Sequence, residues 1–193
     1  MGLQFEEEKV LNGCRAGKPK YQKMLYEYFY GKMLSLCMRY AYNQEEAKDL
    51  LHEGYIKVCK NIEKIKGEGS LEGWVRRIMV NTAINHYHKN KKLQQNIYLE
   101  TKYENIADNL SPQDNVFQKL AYEDLLKLVR TLTPAYRTVF NLYVIEGYNH
   151  KEIAEMLDIS VGTSKSNLAK ARYKLQEKIR EWYNSESRAD YVG

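Results

Sequence analysis

Apolar residues recur at every third or fourth position through most of the chain from residue 21 to about residue 92. This is the period of an α-helix with one buried face, whereas a half-buried strand would alternate every second position. One predicted helix follows Pro19 and has as its core positions Met24, Leu25, Tyr28, Phe29, Met33, Leu36, Cys37 and Tyr40. A second predicted helix starts near Gln44, and its core positions are Ala47, Leu50, Leu51, Tyr55 and Val58. The pattern predicts a helical bundle.

A loop with two glycines, residues 66–70, interrupts this pattern before a third long helix. We predict that helix from about residue 71 to residue 91, with a core of Trp74, Ile78, Val80 or Ala83, and Ile84. Periodicity fades between residues 93 and 118, where amide and acidic side chains predominate, as is typical of a connector. It resumes with Leu120, Leu125, Leu126, Val129, Val139, Phe140, Leu142 and Tyr143. We therefore predict an all-α protein with two small helical domains joined by a flexible linker.

The segment from Tyr148 to Leu175 has the pattern of a helix-turn-helix. Its first helix has apolar residues at Ile153, Met156 and Leu157, and its second at Val161, Leu168, Ala171 and Leu175. Ala154 is small enough for two helices to cross closely, and Ser160 is placed to cap the second helix. Thr163, Ser166 and Lys170 are predicted to face away from Leu168, with Lys165 and Asn167 on the flanks. Short polar and basic side chains on such a helix are typical of contacts in a DNA major groove.

Composition excludes several classes of protein. The longest apolar run is far shorter than the roughly 18 residues of a spanning helix, and the N-terminus has no signal-peptide pattern. We therefore expect a cytoplasmic protein. The three cysteines are more than twenty residues apart and form no metal motif, so we predict reduced thiols. No catalytic set, metal site or cofactor motif is present, and the net charge of +5 is compatible with a nucleic-acid partner.

The predicted third helix is basic and has a second candidate DNA surface. Arg76, Arg77, Lys89, Lys91 and Lys92 lie along it, opposed only by Glu72. Asn81 and Asn85 share one face at a spacing of four residues, and an asparagine amide can pair with a base edge. A basic helix end that only complements its own dipole is the alternative, which we favour for Lys91 and Lys92 alone.

Three segments of the chain resemble the extracytoplasmic-function group of sigma-70 factors, and the resemblance extends over about residues 10–182. Residues 49–58 (DLLHEGYIKV) resemble the segment that docks on core RNA polymerase. Residues 74–83 (WVRRIMVNTA) resemble the segment that recognises the −10 promoter element, and residues 161–172 (VGTSKSNLAKAR) the −35 recognition helix. The order and spacing of the three segments make the resemblance specific.

The resemblance implies a role for each candidate residue. Polymerase contacts are expected from Asp49, His52 and Glu53. Contacts to the −10 element, held as a single strand with a flipped base, are expected from Lys66, Gly67, Glu68, Gly69, Ser70, Arg77, Asn81, Asn85, His88 and Lys89. Duplex contacts at −35 are expected from Thr163, Lys165, Ser166, Asn167 and Lys170. The expected partners are bacterial core RNA polymerase and promoter DNA, with an anti-sigma factor as a further candidate.

The implied domains are a sigma region 2 at residues 1–92, a linker at 93–118, a sigma region 4 at 119–184 and a tail at 185–193. The chain departs from the family at His52, where glutamine is usual, and at Ser164, where an apolar residue is common. A stand-alone helix-turn-helix regulator remains the main alternative, although it leaves residues 49–58 without a role. A protein-interaction module that titrates a regulator would explain those residues but would make the Lys165 and Lys170 face incidental.

Overall fold

The computed structural model describes residues 6–65, 69–95 and 122–189, and within these ranges the chain is helical with no β-strand. This confirms the predicted all-α class. The chain divides into two compact units, Met1–His86 and Tyr87–Gly193, with the dividing point inside a long helix. Among the described helices, none is both long and apolar enough to cross a membrane.

The first unit is built on four helices. Their bounds are α1 Glu7–Arg15, α2 Pro19–Tyr40, α3 Gln44–Asn61 and α4 Leu71–Gln95, with a short 3₁₀ turn at Ile62–Lys64. The sequence pattern missed α1, although Val10, Leu11 and Cys14 have helical spacing and are buried. The fourth helix continues through residue 95, so the first three residues of the predicted linker are helical and the rest lie outside the described residues.

Local sequence explains where these helices begin. Pro19 is the first residue of α2, where its fixed φ is compatible with a helix and its missing N–H is not needed. The Asn43 side chain caps α3 by accepting a hydrogen bond of 2.8 Å from the Glu46 N–H, and the Glu46 carboxylate accepts one from the Tyr42 N–H. The Ser70 hydroxyl accepts a hydrogen bond of 3.0 Å from the Gly73 N–H at the start of α4.

The core of the first unit confirms most predicted positions and corrects the phase of α4. The predicted residues that are buried are Leu25, Phe29, Met33, Leu36, Cys37, Tyr40, Ala47, Leu50, Leu51, Val58, Val80, Ala83 and Ile84. Met24 and Tyr55 are half-buried, and Tyr28 is exposed. Trp74 and Ile78 are only half-buried because Val75 and Met79 face the core in their place. The prediction that Trp74 and Ile78 are buried core positions is therefore wrong.

All three cysteines are free thiols, as predicted. Cys14 and Cys37 are buried, and burial raises the pKa of Cys14 to about 11 and that of Cys37 to about 12. These two thiols therefore remain protonated at neutral pH and pack as small apolar groups.

The second unit contains α5 Tyr122–Arg130, α6 Pro134–Phe140, α7 His150–Leu157 and α8 Val161–Ala189, with a π-helical turn at Asn141–Ile145 after α6. Its core includes Val129, Val139, Phe140, Leu142, Ile153, Leu157, Leu168, Ala171 and Leu175, as predicted. Leu125, Leu126 and Met156 are half-buried, Tyr143 and Val161 are exposed, and Leu120 lies outside the described residues. The last helix continues to residue 189, past the predicted start of the tail.

Helices α7 and α8 form the predicted helix-turn-helix, and side-chain caps hold both of its helix starts. The Asn149 side chain accepts hydrogen bonds from the Lys151 and Glu152 N–H groups, and the Glu152 carboxylate accepts one from the Asn149 N–H. Asp158 ends α7 in the left-handed conformation, with φ 51°. The Ser160 hydroxyl accepts a hydrogen bond of 2.9 Å from the Thr163 N–H, which confirms Ser160 as the cap of α8.

Candidate nucleic-acid interfaces

The three predicted polymerase contacts lie together on the outer face of α3. Asp49, His52 and Glu53 are all exposed, while Leu50 and Leu51 beside them are buried. Ile56 continues the same face and is 53% exposed. The face therefore combines acidic, polar and apolar groups within two helical turns.

His52 is held in place by an aromatic side chain of α2. Its Nε2 atom lies 3.1 Å from the Tyr26 hydroxyl, and the two rings are stacked with centroids 6.1 Å apart. The Tyr26 ring also packs edge-on against Tyr55, at 4.9 Å. Burial, and secondarily the neighbouring Tyr30 hydroxyl, raise the pKa of Tyr26. The Tyr26 hydroxyl therefore remains a neutral hydrogen-bonding group, and sequence reasoning did not identify this residue.

Glu53 is joined to α4 through one lysine. Its carboxylate lies 2.7 Å from Lys57 Nζ, which also donates to the Thr82 hydroxyl at 3.3 Å. Thr82 in turn donates to the Ile78 carbonyl and is buried. An exposed ion pair of this kind adds little stability. Breaking it so that Glu53 contacts a partner protein would therefore cost little free energy.

Four of the predicted −10 residues form one exposed stripe along α4. Arg77, Asn81, Asn85 and Lys89 follow one another at intervals of four residues, and all four side chains are exposed. The opposite side of the helix is buried in the core through Val75, Met79 and Ala83. The two ends of the stripe are cationic and can contact phosphates, and the two asparagine amides between them can contact base edges.

Gly69, Ser70 and His88, the other −10 candidates that the structure describes, lie off this stripe. Gly69 has φ +93°, a conformation that glycine adopts readily, and Ser70 is the cap of α4. Eleven residues separate Ser70 from Asn81, which is about 16 Å of helix rise, so the two side chains are not adjacent. His88 is half-buried, and its ring packs against Tyr87 with centroids 5.6 Å apart. Lys66, Gly67 and Glu68 lie outside the described residues.

The predicted −35 residues lie within the first three turns of α8. Thr163 and Lys165 are exposed, and Ser166, Asn167 and Lys170 are half-buried. The Thr163 hydroxyl lies 2.8 Å from that of Ser160, so the cap also orients the first side chain of this surface. The buried positions Leu168 and Ala171 hold the opposite side of the helix against the rest of the unit.

The structure explains the polar residue at position 164. Ser164 is fully buried, and its hydroxyl lies 2.9 Å from Nδ1 of His150 at the start of α7. The His150 ring stacks on Tyr143, with centroids 4.4 Å apart and planes 24° apart. Burial, with the positive charges of Lys165 and Arg172, lowers the pKa of His150. The imidazole at this position is therefore neutral at physiological pH.

Two units with these helices and surfaces define a protein of the sigma-70 class. The family model described as sigma-70 region 2 matches residues 25–93, and that described as sigma-70 region 4 matches residues 122–175. The chain is 30% identical over 160 residues to the ECF RNA polymerase sigma factor SigW of Bacillus subtilis, which covers 78% of this chain and 84% of that relative. The chain thus belongs to the extracytoplasmic-function sigma factors of RNA polymerase.

Two further comparisons agree with this assignment. The ECF RNA polymerase sigma-E factor of Haemophilus influenzae is 25% identical over 186 residues, which are 93% of this chain and 98% of that relative. The solved structure of the sigma factor RpoE in complex with the anti-sigma factor NepR from Bartonella quintana has the same fold, with a TM-score of 0.50 at 19% identity over 82% of this chain and 96% of that one. The protein is a sigma factor that directs promoter-specific transcription by RNA polymerase.

Proposed function

We propose that this sigma factor docks on core RNA polymerase through the outer face of α3. Asp49, His52 and Glu53 are the polar contacts of this face, and Ile56 is its apolar contact. The exposure of all four side chains within two turns supports the assignment. The hydrogen bond between His52 and the Tyr26 hydroxyl orients His52, which replaces the glutamine common at this position of the family.

The −10 element is read as a single strand along α4. Arg77 and Lys89 contact phosphates at the two ends of the exposed stripe, and Asn81 and Asn85 contact base edges between them. His88 and the loop at residues 66–70 supply further contacts to the strand. Extruding a base costs a few kcal/mol, which contacts to its edge and its phosphates can offset.

The −35 element is read as a duplex by the first three turns of α8. Thr163, Ser166 and Asn167 carry groups that can hydrogen-bond to base edges in the major groove, while Lys165 and Lys170 supply charge for bases or phosphates. Region 2 at residues 1–92 and region 4 at residues 119–184 then bind two parts of one promoter, with residues 93–118 between them.

The observation that carries this proposal is the presence, in one chain, of an exposed acidic, polar and apolar face on α3 and of separate exposed or half-buried polar and basic surfaces on α4 and α8. A stand-alone helix-turn-helix regulator needs only the last of the three. The proposal includes no chemistry of its own: the polymerase catalyses RNA synthesis and the sigma factor selects the site. Both partners are cytoplasmic, so the protein acts there, and an anti-sigma protein that covers these surfaces would regulate it.

The test is binding of the purified chain to bacterial core RNA polymerase, with Glu53→Arg as the variant. Glu27→Arg is a matched control, since Glu27 is also an exposed glutamate with a lysine partner in the same helix, Lys23 at 3.7 Å. We expect tight binding by the wild type and by Glu27→Arg, and a loss of at least tenfold in affinity for Glu53→Arg. Equal affinities of the two variants would remove Glu53 from the interface. Specific duplex binding by the free chain without polymerase binding would favour the regulator.

A further inference from the structure

Ser164 is the one polar side chain among the buried positions of the recognition helix that are described here. A buried hydroxyl without a partner destabilises a fold, whereas a hydrogen-bonded one can be neutral or stabilising. Its partner is His150 Nδ1, 2.9 Å away on the other helix of the motif. The hydroxyl therefore links the two helices at a position where the family commonly has only apolar contact.

Both ends of this link are held firmly by neighbouring groups. His150 is the first residue of α7, directly after the Asn149 capping box, and its ring is stacked on Tyr143. Ser164 lies in the first turn of α8, four residues after the Ser160 cap, and its N–H donates to the Ser160 carbonyl at 3.0 Å. A hydrogen bond between two points fixed in this way restricts rotation of α8 about its own axis.

Rotation of α8 is the variable on which base reading depends. Thr163 and Lys165 are the immediate neighbours of Ser164, and Asn167 lies one turn further along. Each residue of an α-helix is turned by about 100° from the last, so a small rotation moves all of these side chains relative to a groove together. A bidentate contact to a base edge weakens when its distances and angles move away from their preferred ranges.

We propose that Ser164 and His150 are positioning residues for −35 recognition: their hydrogen bond sets the rotation of the recognition helix in the groove. Neither side chain needs to contact DNA. This inference rests on the proposed −35 role of α8, and it adds that the Ser164–His150 pair determines how selectively α8 recognises the −35 element. The apolar contacts of Leu168 and Ala171 hold this face of α8 against the core, and the hydrogen bond adds a directional restraint to them.

The experiment compares Ser164→Thr with Ser164→Val in the full chain bound to core polymerase. Threonine and valine have the same shape and add the same methyl group, but only threonine keeps the hydroxyl. Each holoenzyme selects from a library of promoter duplexes with a randomised −35 element and a constant −10 element. We expect the wild type and Ser164→Thr to enrich the same −35 sequence, and Ser164→Val to enrich it about threefold to tenfold less.

His150→Phe supplies the second arm, since phenylalanine can keep the stack on Tyr143 without a ring nitrogen. We expect it to reduce enrichment as Ser164→Val does, and the double variant to lose no more than either single one. Equal enrichment by Ser164→Thr and Ser164→Val at the wild-type level would overturn the proposal. If the enrichment by Ser164→Thr and that by Ser164→Val fall equally, the added methyl group is the cause. Enrichment by His150→Phe at the wild-type level would in that case overturn the proposal. A wild-type holoenzyme that enriches no −35 sequence would instead contradict the proposed role of α8.

Discussion

Gly54 of α3 lies so close to Met79 of α4 that a Cβ atom at position 54 would stand 2.3 Å from the methionine sulfur. Both residues are buried, so neither has free space to move into. The contact lies between the candidate polymerase face of α3 and the candidate −10 stripe of α4. The absence of a side chain at Gly54 therefore determines the spacing of two functional surfaces.

Gly54→Ala should destabilise the first unit. The added methyl overpacks the core at a cost of about 1–3 kcal/mol, which exceeds the gain of up to about 1 kcal/mol from replacing a helical glycine by alanine. Gly31→Ala is the matched control, because Gly31 is exposed in α2 and a Cβ there meets nothing within 4 Å. Thermal unfolding should show a lower Tm for Gly54→Ala and a slightly higher one for Gly31→Ala. Shifts of the same sign would contradict this account.

Tyr26→Phe should weaken binding to core polymerase by a few-fold, because the ring remains but the hydroxyl that orients His52 is lost. Tyr30→Phe is the control, since its ring also packs against Tyr26, with centroids 5.4 Å apart. Affinity is measured by titrating labelled core enzyme, and thermal unfolding checks that both variants are folded. Identical affinities of the two variants would show that His52 needs no orientation by Tyr26.

Asn81→Ala should reduce discrimination at one position of the −10 element. A good amide contact to a base edge contributes about 1–3 kcal/mol of discrimination, so the preference for the matched base should fall at least about fivefold. Transcription by the holoenzyme is compared on matched and singly mutated −10 templates. Asn12→Ala is the control, because it removes an exposed asparagine from α1, away from the stripe. A preference retained in full by Asn81→Ala would exclude this residue from base reading.

Lys170→Ala should weaken promoter binding and lower its salt dependence. Each phosphate contact that is lost should reduce the slope of log K against log salt concentration by about 0.9. Lys178→Ala serves as the control, since Lys178 lies two turns further along α8 and is paired with Glu181 at 3.8 Å. An unchanged slope for Lys170→Ala would mean that this lysine does not contact DNA phosphates.

The stability of the second unit should fall as the pH is lowered below about 6.5. The pKa of His150 is lower in the folded chain than in the unfolded one, because of burial and the charges of Lys165 and Arg172. As the pH falls, His150 is therefore protonated in the unfolded chain before it is protonated in the folded chain. The folded state keeps its full stability above the pKa of the unfolded chain and loses stability as the pH falls from there through the pKa of the folded chain. Thermal unfolding between pH 7.5 and 5.5 should show a steeper loss for the wild type than for His150→Phe. Parallel curves would argue against a lowered pKa.

Local signals in the sequence were sufficient to predict some helix starts and most of the core. Pro19 and Ser160 each lie at the start of a helix, as predicted, and the spacing of Leu50 and Leu51 identifies the buried side of α3. Periodicity could not fix the phase of α4, because apolar residues occupy positions 74, 75, 78, 79 and 80 and are compatible with more than one buried face.

The sequence pattern does not predict which side chains of different helices contact each other. His52 and Tyr26 are 26 residues apart, and His150 and Ser164 are 14 apart, so both pairs depend on how two helices cross. Each partner taken alone has an ordinary interpretation: a tyrosine on an amphipathic helix, or a serine that loosens packing. The candidate residues on α3 and α4 were easier to predict, because they share one exposed helix face and helix geometry alone relates them.

The stripe on α4 is also a measure of length. From Arg77 to Lys89 the helix rises by about 18 Å, which equals about five stacked nucleotides at 3.4 Å each. Because α4 is one unbroken helix over this distance, the backbone positions of its two cationic ends are fixed relative to each other. On the proposed −10 role, the helix would limit how many nucleotides lie between the two phosphate contacts, to within the reach of the flexible arginine and lysine side chains. The helix would then constrain the length of the bound strand as well as the identity of its bases.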